Sequence, residues 1–313
     1  MTLDEKQFDR GIVWFRRDLR LEDNPALDAA VAQCKEVLAV FIWSPEEEAP
    51  WSPGAASRSW LHYSLTALQS ELEANAVTFC VLRGTTEQTL LKLAASIDAR
   101  AIFWNRLYDP QLIERDSELK RSLTSNNISA YSFNGSLLIE PWELRNASGN
   151  PYQVFTPFWK ALRRELNLVK PLSRPKIQGI STAPQSDSLE SLNLLPQIPW
   201  DREFYEHWTP GEAAAKSRLK RFIAKSLAGY KDQRDFPSIR EGVSSLSPHL
   251  HFGEVSPRFV YQQIESAVDS SRPAASHSQA EAFLRQLGWR EFAQHLLFHF
   301  PHTTTEPLRP EYK

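Results

Sequence analysis

The stretch "FLRQLGWREFAQHLLFHFP", residues 283–301, sets an amide (Gln286), an indole (Trp289) and a guanidinium (Arg290) close together among apolar neighbours. At ~100° per residue a helix carries Phe283, Trp289, Arg290, Ala293 and Leu297 within ~60° of Gln286. That face offers rings for stacking and polar groups to orient a partner, which suits a flat polar heterocycle. A buried helix whose Arg290 pairs with a carboxylate explains it equally well. A second stretch, "VSSLSPHLHFGEVSP", carries Ser244, Ser245 and Ser247 in a polar turn, and Ser247 with Pro248 has the signature of a helix start. Free amides and hydroxyls at such a start suit a phosphate or diphosphate, although most such starts bind nothing. His249 and His251 stand two apart in a predicted helix and so face different ways, which favours core or surface roles over a metal site. No metal is expected.

Two charged stretches read less sharply. "GIVWFRRDLRLEDNPAL" empties a strand into a turn with Arg16, Arg17, Asp18, Arg20 and Asp23. It lacks the glycines that let a backbone approach a pyrophosphate, so an anion site and a salt-bridged turn stand at about even odds. "KSRLKRFIAK" places Lys216, Arg218, Lys220, Arg221 and Lys225 around most of one helix, the mark of a solvated surface more often than of phosphate contact.

The elements that must hold these residues change character along the chain. Near-continuous apolar runs, "GIVWF", "EVLAVFIW", "VTFCVL", "AIFWN" and "ISAYSF", alternate with helix-length segments up to about residue 133. That pattern predicts a doubly wound α/β domain whose parallel sheet is covered on both faces, with ligands where strands end and helices begin. From Leu137 to about Pro199 the text turns to Pro, Ser, Asn and Leu without a period, which predicts a long connector over the surface. Helical patterns follow, with start signals at Ser256–Pro257 and at Ser278. We therefore expect domains at 10–136 (α/β), 137–204 (connector) and 205–313 (helical). Because a strongly apolar helix lies so near "LRPEYK", the helical domain is expected to be incomplete.

Composition narrows the function classes. The 313 residues are 42% hydrophobic and 24% charged, with a formal net charge of −2. Apolar runs too short for a bilayer and a polar, mixed-charge opening predict a cytoplasmic protein that is not membrane-inserted. Cys34 and Cys80 alone suggest neither a disulfide framework nor a thiolate metal site. The charge balance gives no global case for nucleic acid, while ten Trp and 17 Phe leave room for flat aromatic ligands or for large cores.

Together, "VWFRRDLRLEDNPAL", "PYQVFTPFWKAL", "YKDQRDFP", "SSLSPHLHFGEVSP" and "FLRQLGWREF", in that order, closely resemble the cryptochrome/photolyase family over nearly the whole chain. The resemblance implies a Rossmann-like α/β domain that often carries an antenna chromophore (a folate, a deazaflavin or a flavin), a connector, and an all-α domain that binds FAD. It implies light-driven DNA repair, with reduced FAD donating an electron to a pyrimidine dimer flipped from DNA. Position by position, it puts Tyr230 beside the FAD phosphates and Arg234 on the DNA side. Val243, Ser244, Ser245, Leu246 and Ser247 match the family's flavin-binding Thr-Ser-x-Leu-Ser, with valine replacing one hydroxyl. Trp289 matches the indole on which the dimer stacks, and Arg290 reaches toward the flavin.

Two departures matter. Gln286 stands where dimer-splitting relatives commonly have glutamate, and Phe283 where some have tryptophan. A carboxyl group can share a proton with the dimer, whereas an amide can only hydrogen-bond. Repair enzymes for the (6-4) lesion also use glutamine there, so cyclobutane-dimer repair, (6-4) repair and a cryptochrome-type photoreceptor without repair remain alternatives. The resemblance further implies that an asparagine, aspartates and relay tryptophans of the flavin cradle belong after "LRPEYK"; without them this stretch alone is expected to be inactive. The complete protein is expected to act as a monomer on dimer-containing DNA.

Overall fold

The computed structural model describes residues 6–167, 170–182, 184–268 and 274–312. Five strands, β1 (Phe8–Phe15), β2 (Cys34–Trp43), β3 (Phe79–Arg83), β4 (Ala101–Asn105) and β5 (Ser129–Phe133), form one parallel sheet in the order β3-β2-β1-β4-β5. The helices between them are α1 (Pro25–Gln33), α2 (Ala55–Glu73), α3 (Thr86–Ile97) and α4 (Pro110–Ser125). Alternate strand residues feed two separate cores. Val13, Phe15, Ala39, Phe41 and Phe103 pack with α1 and α2, while Ile12, Trp14, Leu38, Val40 and Trp104 pack with α3 and α4. Burial on both faces is why these strands read as continuous apolar runs. The doubly wound α/β class is thus the observed one, and its switch point lies between β1 and β4.

The segment expected to be a plain connector carries a helix. α5 (Phe155–Glu165) buries Phe155, Phe158, Trp159 and Leu162, spaced for one helical face, and that signal was hidden among the prolines around it. Further on, the connector runs along the sheet edge: the Asp187 amide donates to the Val81 carbonyl (2.7 Å), and Leu189, Leu192 and Leu194 enter the first core. The helical part follows as α6 (Phe204–His207), α7 (Glu212–Lys225), α8 (Tyr230–Gln233), α9 (Ser247–His251), α10 (Pro257–Ala267) and α11 (Ala274–His299). Ser256 caps α10 as its sequence predicts, accepting from the Phe259 amide. The other two start signals shift: Ser278 lies inside α11, and Ser247 is the first residue of α9, without a side-chain cap.

The turn after β1 joins the two parts. Arg16 pairs with Asp116 at 2.8 Å and Arg17 with Glu48 at 2.6 Å, so the salt-bridged reading of this turn is the observed one. Buried Arg20 donates to the carbonyls of Gly253 (2.9 Å), Asp23 (2.7 Å) and Gly135 (2.6 Å). Asp23 accepts in return from Ser256 and from Arg258, the latter at 2.8 Å. Glu254, fully buried, accepts from Trp60 (3.1 Å), Ser64 and His249, tying α2 to the loop after α9. Gly253 makes this approach possible. Its φ is +65°, and a Cβ there would overlap the Arg17 carbonyl and sit 2.6 Å from the Asp18 Cα. Gly253→Ala is therefore expected to lower stability by roughly 2–4 kcal/mol, read as a lower midpoint in urea unfolding.

Candidate functional site

At this seam lies a cavity of about 450 Å³. One wall comes from the segments that follow the carboxyl ends of β1, β4 and β5: Arg17, Leu107, Tyr108, Asp109, Ser136 and Leu137. The facing wall is helical. Tyr230 stands at the start of α8, Ser244 and Leu246 in the turn before α9, Ser247, Leu250 and His251 in α9, and Phe283, Gln286, Leu287, Arg290 and Gln294 along α11. Ser245 takes a left-handed φ of +52°, which reverses the chain within this turn. Phe283 anchors the apolar end, edge-on to Tyr230 at 5.4 Å and tilted against Phe222 at 4.7 Å.

The polar end is organised by Arg290. Its guanidinium donates to the Ser136 carbonyl (2.8 Å) and to Glu291 (3.1 Å). Glu291, fully buried, also accepts from the Leu138 amide at 2.7 Å. Burial pushes its carboxyl up to about 7, against the opposing pull of Arg290 and the backbone donors. Burial likewise lowers His251, reinforced by Arg17 and Arg290, which favours the neutral ring beside the cavity. Gln294 leaves its amide oxygen without a partner, an acceptor that a bound ligand can satisfy.

The predicted residues divide into two groups. Tyr230, Ser244, Leu246, Ser247, Phe283, Gln286 and Arg290 meet at the cavity; Val243, Ser245, Arg234 and Trp289 do not line it. Val243 is exposed, and Arg234 lies over the Tyr230 ring at 5.9 Å. Trp289 stacks on Phe155 of α5 with centroids 3.7 Å apart and planes 9° from parallel. The helical wheel explains its departure: the cavity-lining arc of α11 runs from Gln286 through Arg290, Phe283 and Gln294 to Leu287, ~0° to ~100°, while Trp289 stands at ~−60°. Next to it, Gly288 lets α11 close on α5, since a Cβ there would overlap the Trp159 ring.

Of the strand-end wall residues, Arg17 belongs to the turn read as a candidate anion site, whereas Leu107, Tyr108 and Asp109 were missed. The rule that ligands sit beyond strand ends points to them, but only knowledge of the sheet order says which strands flank the crevice. His249 is fully buried against Glu254, and among the described residues no group of three potential ligands is placed to hold a metal. The basic helix is partly neutralised, with Lys216 held by Glu22 and Glu212 and Arg218 donating to the His207 carbonyl. No described helix is long and apolar enough to cross a membrane.

A second, smaller cavity of about 200 Å³ opens beside the first at the ends of β1 and β2. Trp14, Phe41, Trp43 and Trp51 line it together with Arg16, Glu48 and Arg115. A doubly wound sheet, a helical part clasped to its strand ends and a cavity in the seam define a two-part α/β protein with a candidate ligand site between its parts. The family model described as DNA photolyase matches residues 11–176, and the chain belongs to that family. It is 41% identical over 292 residues to a deoxyribodipyrimidine photo-lyase of Agrobacterium fabrum, covering 93% of this chain and 59% of the relative. It is 37% identical over 320 residues to cryptochrome-2 of Arabidopsis thaliana, covering 98% and 51%. The crystal structure of a bacterial class III photolyase from Agrobacterium tumefaciens superposes with a TM-score of 0.91 at 38% identity, covering 97% of this chain and 62% of that one. The chain thus spans between half and two thirds of the length of these proteins.

The Glu291 carboxyl makes the stability of the fold depend on pH. A folded-state pKa raised to about 7 from 4.5 makes its contribution to stability complete below about 4.5 and lost as pH rises through 7. Relative to Glu291→Gln, the parent protein is expected to lose on the order of 3 kcal/mol between pH 4.5 and 8. Melting temperatures of both proteins across that range check it; parallel curves contradict it.

Proposed function

We propose that the complete protein is a light-driven DNA repair flavoprotein that holds FAD in the larger cavity and splits cyclobutane pyrimidine dimers. The observation that carries this reading is the convergence on one cavity of the α11 face Phe283, Gln286 and Arg290 with Tyr230 and the Ser244 and Ser247 turn. The residues present fit such a group. Aromatic faces stand at one end, hydroxyls line the turn, and Gln294 has an unsatisfied oxygen. FAD bound there supplies the light-driven electron, while the chain binds, orients and excludes water.

Arg290, braced by Ser136 and Glu291, presents a fixed positive charge to an anionic ligand. Gln286 donates and accepts hydrogen bonds without releasing a proton, so it orients a dimer's carbonyl and imide edge and carries no acid step. Trp289, half-exposed outside the cavity and backed by Phe155, offers a base a stacking platform worth roughly 1–3 kcal/mol. In this reading Arg234 belongs to the DNA-facing side, and Val243 to the flavin-binding turn, where it contributes no hydroxyl. The smaller cavity, with Trp14 and Trp43 at the strand ends and Trp51 from the loop before α2, is the seat we assign to part of a second chromophore.

Purified full-length protein is expected to show a bound-flavin absorption spectrum and to restore dimer-containing oligonucleotides under blue light. Gln286→Ala should cut that rate about tenfold or more, and Trp289→Ala should weaken dimer-DNA affinity by roughly tenfold. Flavin binding without any repair would overturn the assignment. A photoreceptor without repair is the second reading, favoured by the Gln286 amide and by the likeness to cryptochrome-2. It predicts the flavin spectrum with no preference for dimer-containing over intact DNA.

A further inference from the structure

The two cavities share a wall of three side chains, Arg17, Leu107 and His251. Arg17 is the charged link within it. One prong of its guanidinium holds Glu48 at 2.6 Å and the other holds Asp109 at 3.2 Å. Glu48 lines only the smaller cavity and Asp109 only the larger one, so a single planar fork grips one carboxylate from each side. Burial works against the Arg17 charge, and Asp109 and Glu48 together outweigh it, which keeps the group ionised between them.

We infer that Arg17 is a positioning residue that couples ligand binding in the two cavities, so that an anionic ligand in one alters the affinity of the other. An anion entering the smaller cavity competes with Glu48 for the guanidinium, and one entering the larger cavity competes with Asp109. Either event changes how firmly Arg17 holds the opposite carboxylate, and by linkage the effect is equal in both directions. The fork is essential, because a lysine ammonium is a point charge that does not hold two carboxylates in one plane. The inference rests on the flavin reading of the larger cavity only for the identity of the probe.

The test is a double-mutant cycle on the full-length protein with FAD as probe. Glu48→Gln is expected to weaken FAD binding about threefold, because Arg17 then holds Asp109 more firmly against the incoming anion; in an Arg17→Met or Arg17→Lys background the same change should move it by less than about 1.5-fold. An equal fold-change in every background overturns the coupling, because a through-space charge effect does not need the fork. A second cycle needs no flavin: melting temperatures of the flavin-free protein carrying Glu48→Gln, Asp109→Asn or both. The two substitutions are expected to be non-additive with Arg17 present and additive in Arg17→Met, and additivity in both overturns the inference. A wild-type protein that binds no FAD sinks the flavin reading alone, and the melting cycle then decides the coupling.

Discussion

The grip of Arg20 on three backbone carbonyls is the constraint from which the rest of the molecule follows. A guanidinium removed from water must satisfy its donors inside the protein, and Arg20 does so with carbonyls from its own turn, from the segment after β5 and from the loop after α9. Burial pushes its pKa down against the opposing pull of the nearby Asp23 and Asp18. The result is a polar clasp at the strand ends that sets the α/β part and the helices in one register. Gly253 permits the close approach, and Glu254 with its three donors extends the clasp to α2.

The cavity is a by-product of that registration. Strand ends of a doubly wound sheet always present turns and amides to a crevice, yet here the crevice is roofed by α9 and α11 rather than by a loop. The same clasp turn that holds the parts together supplies Arg17 to the wall. Stability and ligand contact are therefore not separable at residues 16–24: the charges that fix the seam also set the field felt inside it. Glu291 illustrates the cost, a carboxyl buried deeply enough to titrate near neutrality while bracing the arginine that faces the cavity.

Legibility in the sequence varied with the range of the forces involved. The five strands and the alternating helices were readable because burial on both faces writes itself into consecutive residues. α5 is poorly marked in the sequence because Pro151 precedes it and Pro157 falls in its first turn, although Phe155, Phe158, Trp159 and Leu162 keep the helical spacing. On α11 the wheel grouped Gln286, Phe283, Arg290 and Trp289 on one side, because a wheel shows which residues are neighbours without showing what each one meets. The fold turns the first three to the cavity and Trp289 to Phe155 of α5.

What the sequence by itself determined is therefore local: element types, the helix start at Ser256, the polar turn at Ser244 to Ser247, and the long motifs that mark the family. These depend on residues within a few turns of one another. Tertiary structure alone decided that Arg17, Tyr108 and Asp109 stand opposite Phe283 and Arg290, and that two cavities share one guanidinium. The facing residues of the larger cavity are more than a hundred positions apart in the chain, and their meeting is settled by the strand order and the buried clasp, which no local spacing encodes.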